Sequence, residues 1–331
     1  MRIRPVSAVT STLLVLSTLV LTAPHARAAE PVRAAAHTRV PLAIGHRGVP
    51  VQAPENTLAS VDRAADLGIT WVENDVQRTK DGALIVMHDT TLERTTDVKR
   101  RFPGRAPWKI ADFTLAEIRK LDAGSWYDRR FAGERVPTLR SYLQRVDRNR
   151  QKLLLEVKAP ELYPGIERQL AGELQRAGWL NARHVRGSLV VQSFSAASLK
   201  AFHRVRPDVK TGFLGAPKPS ELRSYAAFAD QINPHHRSVT AAWVRAVHAL
   251  RGPHGRMLEV SAWTVDNGDR AVDLARMGVD GIISNAPHEI EDALEEELDE
   301  QSEQSEQSEE NEENEENEED DGLSFLSFLG L

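Results

Sequence analysis

Short extended runs rich in β-branched and aliphatic residues alternate with helix-like stretches through the middle of this chain, and the alternation strongly constrains the fold. The runs are PLAIG (41–45), TWVENDVQ (70–77), KLLLEVK (152–158), SLVVQSF (188–194), VKTGFL, ADQINP, MLEVSAWTV and DGIISNAP. Between them, apolar residues recur at helical spacing. Eight such β–α units over about 250 residues predict an α/β protein of the (β/α)8 TIM-barrel class. A doubly wound open sheet is the alternative, but it favours a Gly-rich phosphate loop after the first strand, and GHRGVP is not one.

The N-terminal end differs in composition from this middle part. Residues 1–28 begin with a basic stretch, continue through the apolar run AVTSTLLVLSTLVLTA and end with small residues at Ala26 and Ala28. This order is typical of a secretory signal peptide. A single membrane anchor is the alternative, although the apolar run is shorter than the roughly 20 residues that a span needs. We therefore expect a secreted protein with a linker over 29–40 and no stable membrane span after signal cleavage.

The C-terminal end is strongly acidic and of low complexity. Residues 289 to 321 contain 20 acidic residues, and no Lys or Arg follows Arg276. Such a self-repelling composition predicts a disordered tail over 295–331, following a barrel over 41–294. Residues 29–288 carry 39 basic and 28 acidic residues, a net charge of +11 that favours an anionic ligand. No nucleic-acid-binding motif accompanies this charge, so we expect no nucleic-acid partner.

Three acidic residues fall near the carboxyl ends of two predicted strands, where a TIM barrel carries its active site. Glu73 and Asp75 are two residues apart on one strand, so both carboxylates face the same side. Glu156 and Lys158 repeat that spacing on the next main strand. Three crowded carboxylates would repel one another unless a divalent cation bound them, and all-oxygen ligation favours Ca²⁺ or Mg²⁺ over zinc. The cation would polarise a phosphoryl oxygen, while Arg47 and Lys158 would hold the remaining phosphate charge.

Two histidines occupy comparable positions. His46 follows the first predicted strand, and His88 lies near the end of the extended piece ALIVMHD (83–89). Imidazole titrates near neutral pH, so one ring can donate a proton while the other accepts one. A single histidine at a strand end is more often structural than catalytic, but their joint placement with the carboxylates indicates a site. Gln192 and Trp263 also fall at predicted strand ends.

The stretch GHRGVPVQAPENTLASVDRAADLGITWVENDVQRTKDGALIVMHDTTLERTTD resembles the signature of the glycerophosphodiester phosphodiesterase family. LLLEVK, VVQSF, SAWTVDN and GVDGIISNAP follow in the same order as in the family, so the resemblance spans residues 42 to 288. It implies a catalytic pair, His46 and His88; three metal ligands, Glu73, Asp75 and Glu156; and two phosphate contacts, Arg47 and Lys158. Glu55, in PENT, would support the site, or it would serve only as a helix-start carboxylate. Residues 98–135 take the place of the family's small insertion.

The chain departs from the family pattern at two places. The last strand ends in SNAP, where the family commonly has an Asp or a bulkier residue, and this difference would alter the pocket for the substrate alcohol. Asn74 lies between the first two acidic ligands, where the family usually has an apolar residue. Because side chains alternate along a strand, we expect Asn74 to point away from the barrel interior and leave the site intact.

The resemblance implies hydrolysis of a small-molecule substrate, a glycerophosphodiester such as glycerophosphocholine or glycerophosphoethanolamine, to glycerol 3-phosphate and an alcohol, with one divalent cation, Ca²⁺ or Mg²⁺. A phospholipase D-like or sphingomyelinase D-like enzyme is the nearer alternative, because it shares paired histidines and an E-x-D. The motifs PENT and LEVK favour the glycerophosphodiester phosphodiesterase over this alternative. A non-catalytic secreted ligand-binding protein is the alternative from another class, although a pure binder has little use for two histidines beside a metal site.

Overall fold

The computed structural model describes residues 40–328, and their side chains as far as residue 308. The signal peptide predicted for 1–28 and the linker predicted for 29–40, apart from Val40, lie outside the described residues. The strands are β1 (Leu42–Gly45), β2 (Trp71–Arg78), β3 (Leu84–Val86), β4 (Lys152–Val157), β5 (Leu189–Ser193), β6 (Lys210–Leu214), β7 (Gln231–Asn233), β8 (Glu259–Ala262) and β9 (Gly281–Ser284). The helices are α1 (Leu58–Asp66), α2 (Val98–Arg101), α3 (Leu115–Ile118), α4 (Leu139–Arg148), α5 (Ile166–Arg176), α6 (Ala182–Gly187), α7 (Ala196–Val205), α8 (Leu222–Ala226), α9 (Ala241–His248), α10 (Gly268–Arg276) and α11 (Pro287–Phe328).

Eight of the strands are parallel and close into a barrel. The hydrogen-bonded order is β1-β9-β8-β7-β6-β5-β4-β2, and β1 also pairs with β2, so the sheet has no free edge among these eight. β3 lies outside the barrel and pairs with β2 in the antiparallel direction. The (β/α)8 prediction is therefore confirmed, and the closure excludes the open sheet.

The barrel strands are buried on both faces, which is why they read as continuous apolar runs. Val72 and Val76 of β2 point outward and pack under the surrounding helices with Leu153 and Leu155 of β4. Residues of the opposite parity point into the barrel. There, a small apolar plug of four side chains separates the two ends of the barrel: Ile44, Leu154, Val190 and Ile283.

The predicted insertion, 98–135, follows the β2–β3 hairpin and has a small core of its own. Val98, Ile110, Phe113 and Ile118 are fully buried there. They pack against Ile85 at the edge of the barrel, together with neighbouring apolar residues. The insertion therefore attaches to the barrel through apolar contacts beside the strand ends that carry the candidate site.

Helix α11 continues from the barrel to Phe328. Ile290 and Leu294 in the first turns are buried against the barrel, and Arg276 Nη2 lies 2.8 Å from Glu297 Oε2. These contacts anchor the start of α11 on the barrel. Beyond them the segment is strongly acidic, and like charges four residues apart destabilise a helix, so the disorder expected for 295–331 stays a prediction. Within the described residues, no helix is both long and apolar enough to cross a bilayer.

Candidate active site

A tight turn after β1 positions the first two polar residues of the site. Arg47 has a φ of 57°, in the left-handed region of backbone conformation that residues other than glycine rarely adopt. This conformation lets its backbone N–H donate to Glu73 Oε2 at 3.0 Å. Gly48 follows with a φ of 92°, and a Cβ there would lie 2.2 Å from Ser60 Oγ, so α1 packs too closely for any side chain. Strained backbone of this kind is often found at functional sites.

Three carboxylates meet inside the carboxyl end of the barrel. Glu73 and Asp75 of β2 both point inward, and Glu156 of β4 is the register partner of Asp75. One carboxylate oxygen from each residue lies within 4.8 Å of those from the other two. The three side chains are almost fully buried, with exposures of 2%, 1% and 5%. We call these residues the acidic triad.

Burial and mutual repulsion disfavour the ionised forms of the carboxyl groups in the acidic triad. Burial, and then the charges of Asp75 and Glu156, raise the pKa of Glu73 well above its usual range. Burial and the charge of Asp75 raise the pKa of Glu156 to about 8. Burial opposes ionisation of Asp75 too, but the positive charges of Arg47 and Lys158 outweigh it and lower the pKa of that carboxyl. The arrangement therefore holds more negative charge than its own side chains neutralise, as a cation-binding site does.

Two cationic side chains contact the acidic triad from opposite sides. Lys158 Nζ lies 3.1 Å from Glu156 Oε1 and 3.5 Å from Asp75 Oδ1. Arg47 Nε lies 3.4 Å from Asp75 Oδ2. Both residues also line the cavity at the barrel mouth, so they can contact an anion bound above the carboxylates.

The two histidines line the same cavity, and each is oriented through its Nδ1 atom. His46 Nδ1 lies 2.7 Å from Asn285 Oδ1, and His88 Nδ1 lies 2.8 Å from Asp89 Oδ1. Both partners are acceptors, so each ring carries a hydrogen on Nδ1 and presents Nε2 for proton exchange. Burial, and then the charge of Arg47, lower the pKa of His46 to about 4, which keeps that ring neutral.

Glu55 takes part in an ion-pair network. Its carboxylate accepts from Arg47 Nη1 at 3.0 Å and from Arg94 Nη1 at 2.7 Å. Arg94 in turn donates to both carboxylate oxygens of Asp89, the partner of His88. α1 begins at Leu58 with Thr57 as its N-cap, so Glu55 precedes the helix. Its contacts link the Arg47 turn to the His88 side of the site.

The remaining two predicted residues form part of the cavity wall. Gln192 is the register partner of Glu156 on β5, and its Oε1 accepts from Asn233 Nδ2 at 2.9 Å. Trp263 donates from Nε1 to the Asn233 carbonyl and packs edge-to-face on Phe194, with the ring centroids 5.4 Å apart. The cavity has a volume of about 90 Å³, and Ile283 of the apolar plug lies in its wall.

Sequence reasoning assigned no role to several residues that position the site. Asn56 donates to Asp75 Oδ2 at 2.8 Å and is buried. Asp266 accepts from the backbone and the side chain of Asn285, which fixes the amide that holds His46. Asn56 lies next to Glu55 in PENT, and Asn285 directly follows the last strand, so the sequence positions of these two residues could have indicated a role. The position of Asp266 in the sequence gives no such indication.

Comparison with known proteins places this geometry in a family. The sequence model described as "Glycerophosphoryl diester phosphodiesterase family" matches residues 46–289, which contain every site residue named above. The chain belongs to this family. It is therefore an enzyme of the phosphodiesterase class. The glycerophosphodiester phosphodiesterase of Bacillus subtilis strain 168 is 34% identical over 263 residues, covering 74% of this chain and 84% of that protein.

Solved structures of the phosphodiesterase family have the same fold. The phosphodiesterase from Oleispira antarctica, solved in complex with the product sn-glycerol-3-phosphate, is 29% identical and covers 77% of this chain and 97% of its own, with a TM-score of 0.63. A crystal structure described as a "Putative glycerophosphoryl diester phosphodiesterase" from Silicibacter pomeroyi DSS-3 is 28% identical in sequence. It covers 78% of this chain and 95% of its own, with a TM-score of 0.67.

Proposed function

We propose that this enzyme hydrolyses glycerophosphodiesters, such as glycerophosphocholine or glycerophosphoethanolamine, to glycerol 3-phosphate and an alcohol, in a reaction that depends on one divalent cation. The observation that carries the proposal is the meeting of the acidic triad, two cationic side chains and two oriented histidines around one small cavity. A diester phosphate is small and anionic, and it needs both a proton acceptor and a proton donor to be cleaved.

The acidic triad would hold the cation. Its ligands are carboxylate oxygens only, which suits Ca²⁺ or Mg²⁺ rather than zinc. The raised pKa of Glu73 and of Glu156 reflects burial and mutual repulsion that a bound cation would relieve. When bound, the ion supplies a Lewis acid that polarises a phosphoryl oxygen.

Arg47 and Lys158 would bind the non-bridging oxygens of the phosphate. Both reach the cavity while contacting Asp75, so their positions are fixed before the substrate arrives. Preorganised cations of this kind stabilise charge that develops in the transition state, and they need no rearrangement during the reaction.

The hydrogen-bond partners of the two imidazole rings favour one assignment of the general base and the general acid. Asn285 is a neutral acceptor, so it holds His46 as a neutral ring whose Nε2 can accept the proton of the attacking hydroxyl group or water. Asp89 is a carboxylate, so it stabilises a protonated His88 whose Nε2 can donate to the leaving alkoxide. We therefore propose His46 as the general base and His88 as the general acid.

The test measures product release by the purified full chain. With Mg²⁺ or Ca²⁺ present, glycerophosphocholine should yield glycerol 3-phosphate and choline, and EDTA should abolish the release. Cleavage of lysophosphatidylcholine in preference to glycerophosphocholine would instead support the phospholipase D-like alternative. Release from neither substrate, with the metal present and the chain folded, would contradict an enzymatic role and favour a ligand-binding protein.

We also propose that the enzyme is exported. The support is the basic start, the apolar run and the small residues before Ala29 in the sequence. N-terminal sequencing of protein recovered from the medium or the cell envelope should give a start near Ala29. Protein found only inside the cell, with Met1 retained, would contradict this proposal.

A further inference from the structure

A second cavity lies at the opposite end of the barrel, where the parallel strands begin. It has a volume of about 240 Å³, larger than the cavity at the catalytic mouth. The first residues of several strands line it, among them Trp71, Lys152, Lys210 and Gln231. Ile44, Leu154 and Val190 of the apolar plug line it, whereas Ile283, the fourth residue of the plug, lines the catalytic cavity. We call it the lower cavity.

The lower cavity carries an excess of positive charge. Lys152, Arg186 and Arg256 line it, and within residues 40–308 none of the three has a carboxylate within ion-pair distance. Lys210 Nζ lies 3.6 Å from Glu259 Oε1, so those two charges compensate each other. The other acidic group, Asp280, already accepts from His248 and from the backbone of Val260.

We propose that the lower cavity binds a small anion that carries at least two negative charges. The charges would face Lys152, Arg186 and Arg256, which line the cavity without a carboxylate partner. Organic monophosphates and dicarboxylates share this chemistry.

The lower cavity lies at the amino ends of the barrel strands, whereas the catalytic cavity lies at their carboxyl ends. An occupant would touch Trp71 and Lys152, which begin the strands that carry the acidic triad four or fewer residues further on. Binding there does not depend on the proposed reaction, since none of the wall residues lines the catalytic cavity.

Isothermal titration of the full, metal-loaded chain tests the proposal with three probes. Succinate represents the dicarboxylates, glycerol 2-phosphate the organic monophosphates, and acetate is the carboxylate with a single charge. We expect succinate or glycerol 2-phosphate to bind at least tenfold more tightly than acetate, and the tighter of the two identifies the chemical class of the anion. Absence of heat and of any thermal stabilisation with all three probes at millimolar concentration would overturn the proposal.

Variants assign the bound anion to one cavity. Arg256→Ala, in an exposed loop, and Lys152→Met, which keeps most of the aliphatic side chain and removes the charge, should each weaken binding about tenfold. Arg223→Ala, on the exposed face of α8, is the control and should leave the affinity unchanged. Unchanged affinity in both Arg256→Ala and Lys152→Met would overturn the proposal, and loss of binding in Lys158→Ala would then place the anion in the catalytic mouth.

Discussion

Asp75 and Glu156 lie side by side as register partners on the parallel strands β2 and β4, and one ammonium group, Lys158 Nζ, contacts both carboxylates. Neighbouring parallel strands put their side chains within one strand spacing of each other, about 4.8 Å. The closeness of the two acids is therefore fixed by the backbone hydrogen bonds of the barrel rather than by flexible loops, which suits a site that must hold an ion in fixed geometry.

Glu156→Gln should weaken the affinity for the activating cation at least tenfold, because it removes one of three anionic ligands and keeps the side-chain shape. Titration of activity with Mg²⁺ and with Ca²⁺ measures this as a shift of the half-saturating concentration. Glu161→Gln, an exposed carboxylate five residues further along the chain, is the matched control. Equal half-saturation in Glu156→Gln and the unchanged chain would remove Glu156 from the ligand set.

Replacement of His46 and of His88 should lower turnover to different extents, depending on the leaving group of the substrate. His46→Ala should lower turnover about 10²–10⁴-fold on every diester, because the attacking group still needs a base. His88→Ala should cause a similar loss on glycerophosphocholine but a much smaller one on glycerophospho-p-nitrophenol, whose leaving group needs no proton. Steady-state rates of the two variants on the two substrates check this. A rescue of His46→Ala rather than His88→Ala by the nitrophenyl ester would reverse the roles.

Asn285→Ala should lower kcat by up to about 10²-fold with a small change in KM, because His46 loses the acceptor that fixes its orientation. A change of ring orientation also alters the pH dependence of kcat, which a simple packing defect would not do. The pH–rate profile and a thermal unfolding curve of the variant distinguish the two effects. An unchanged profile with a lowered Tm would make Asn285 a structural residue only.

Asn74→Val should stabilise the fold by about 1–3 kcal/mol. Asn74 is fully buried, and within the described residues neither its Oδ1 nor its Nδ2 has a hydrogen-bond partner. It points outward with Val72 and Val76 into the apolar layer, away from the acidic triad, as the sequence predicted. Urea denaturation measures the gain, and turnover should stay unchanged. A destabilised variant would indicate that the amide has an unrecognised partner.

The insertion should lose stability at low pH through Asp122. Burial opposes its ionisation, but hydrogen bonds from the backbones of Ser125, Gly133 and Gly124 outweigh burial and lower its pKa to about 2. Because the folded pKa lies below the usual value of 3.8, the stabilisation is complete above that value and disappears as the pH falls towards 2. The free energy of unfolding measured from pH 5 to pH 2 should therefore fall less steeply in Asp122→Asn than in the unchanged chain. Equal slopes in Asp122→Asn and in the unchanged chain would contradict this role of Asp122.

Much of the fold and the candidate site could be predicted from the sequence because both depend on local pattern. Strands that are buried on both faces read as apolar runs, and their number and rhythm predicted the barrel. The two-residue spacing of Glu73 and Asp75 fixed their common direction, since side chains alternate along any strand. Parallel strands then bring all carboxyl ends to one mouth, so residues at those ends could be grouped without knowing their distances.

Composition predicts disorder for the C-terminal segment, which has 20 acidic residues between 289 and 321, and this stays a prediction. What composition could not show is where α11 starts. The structure anchors its first turns on the barrel through Ile290 and Leu294.

The amino-acid order by itself determined the number of strands, the inward or outward direction of each strand residue and the chemical types gathered at the barrel mouth. Only the tertiary structure decided which atoms meet. Asn285 and His46 are 239 positions apart, and their hydrogen bond exists because β9 closes the barrel against β1. The lower cavity likewise has no sequence signature, since its wall takes one or two residues from each of many strands. Periodicity is a property of neighbours along the chain, whereas hydrogen bonds and cavities arise from neighbours in space.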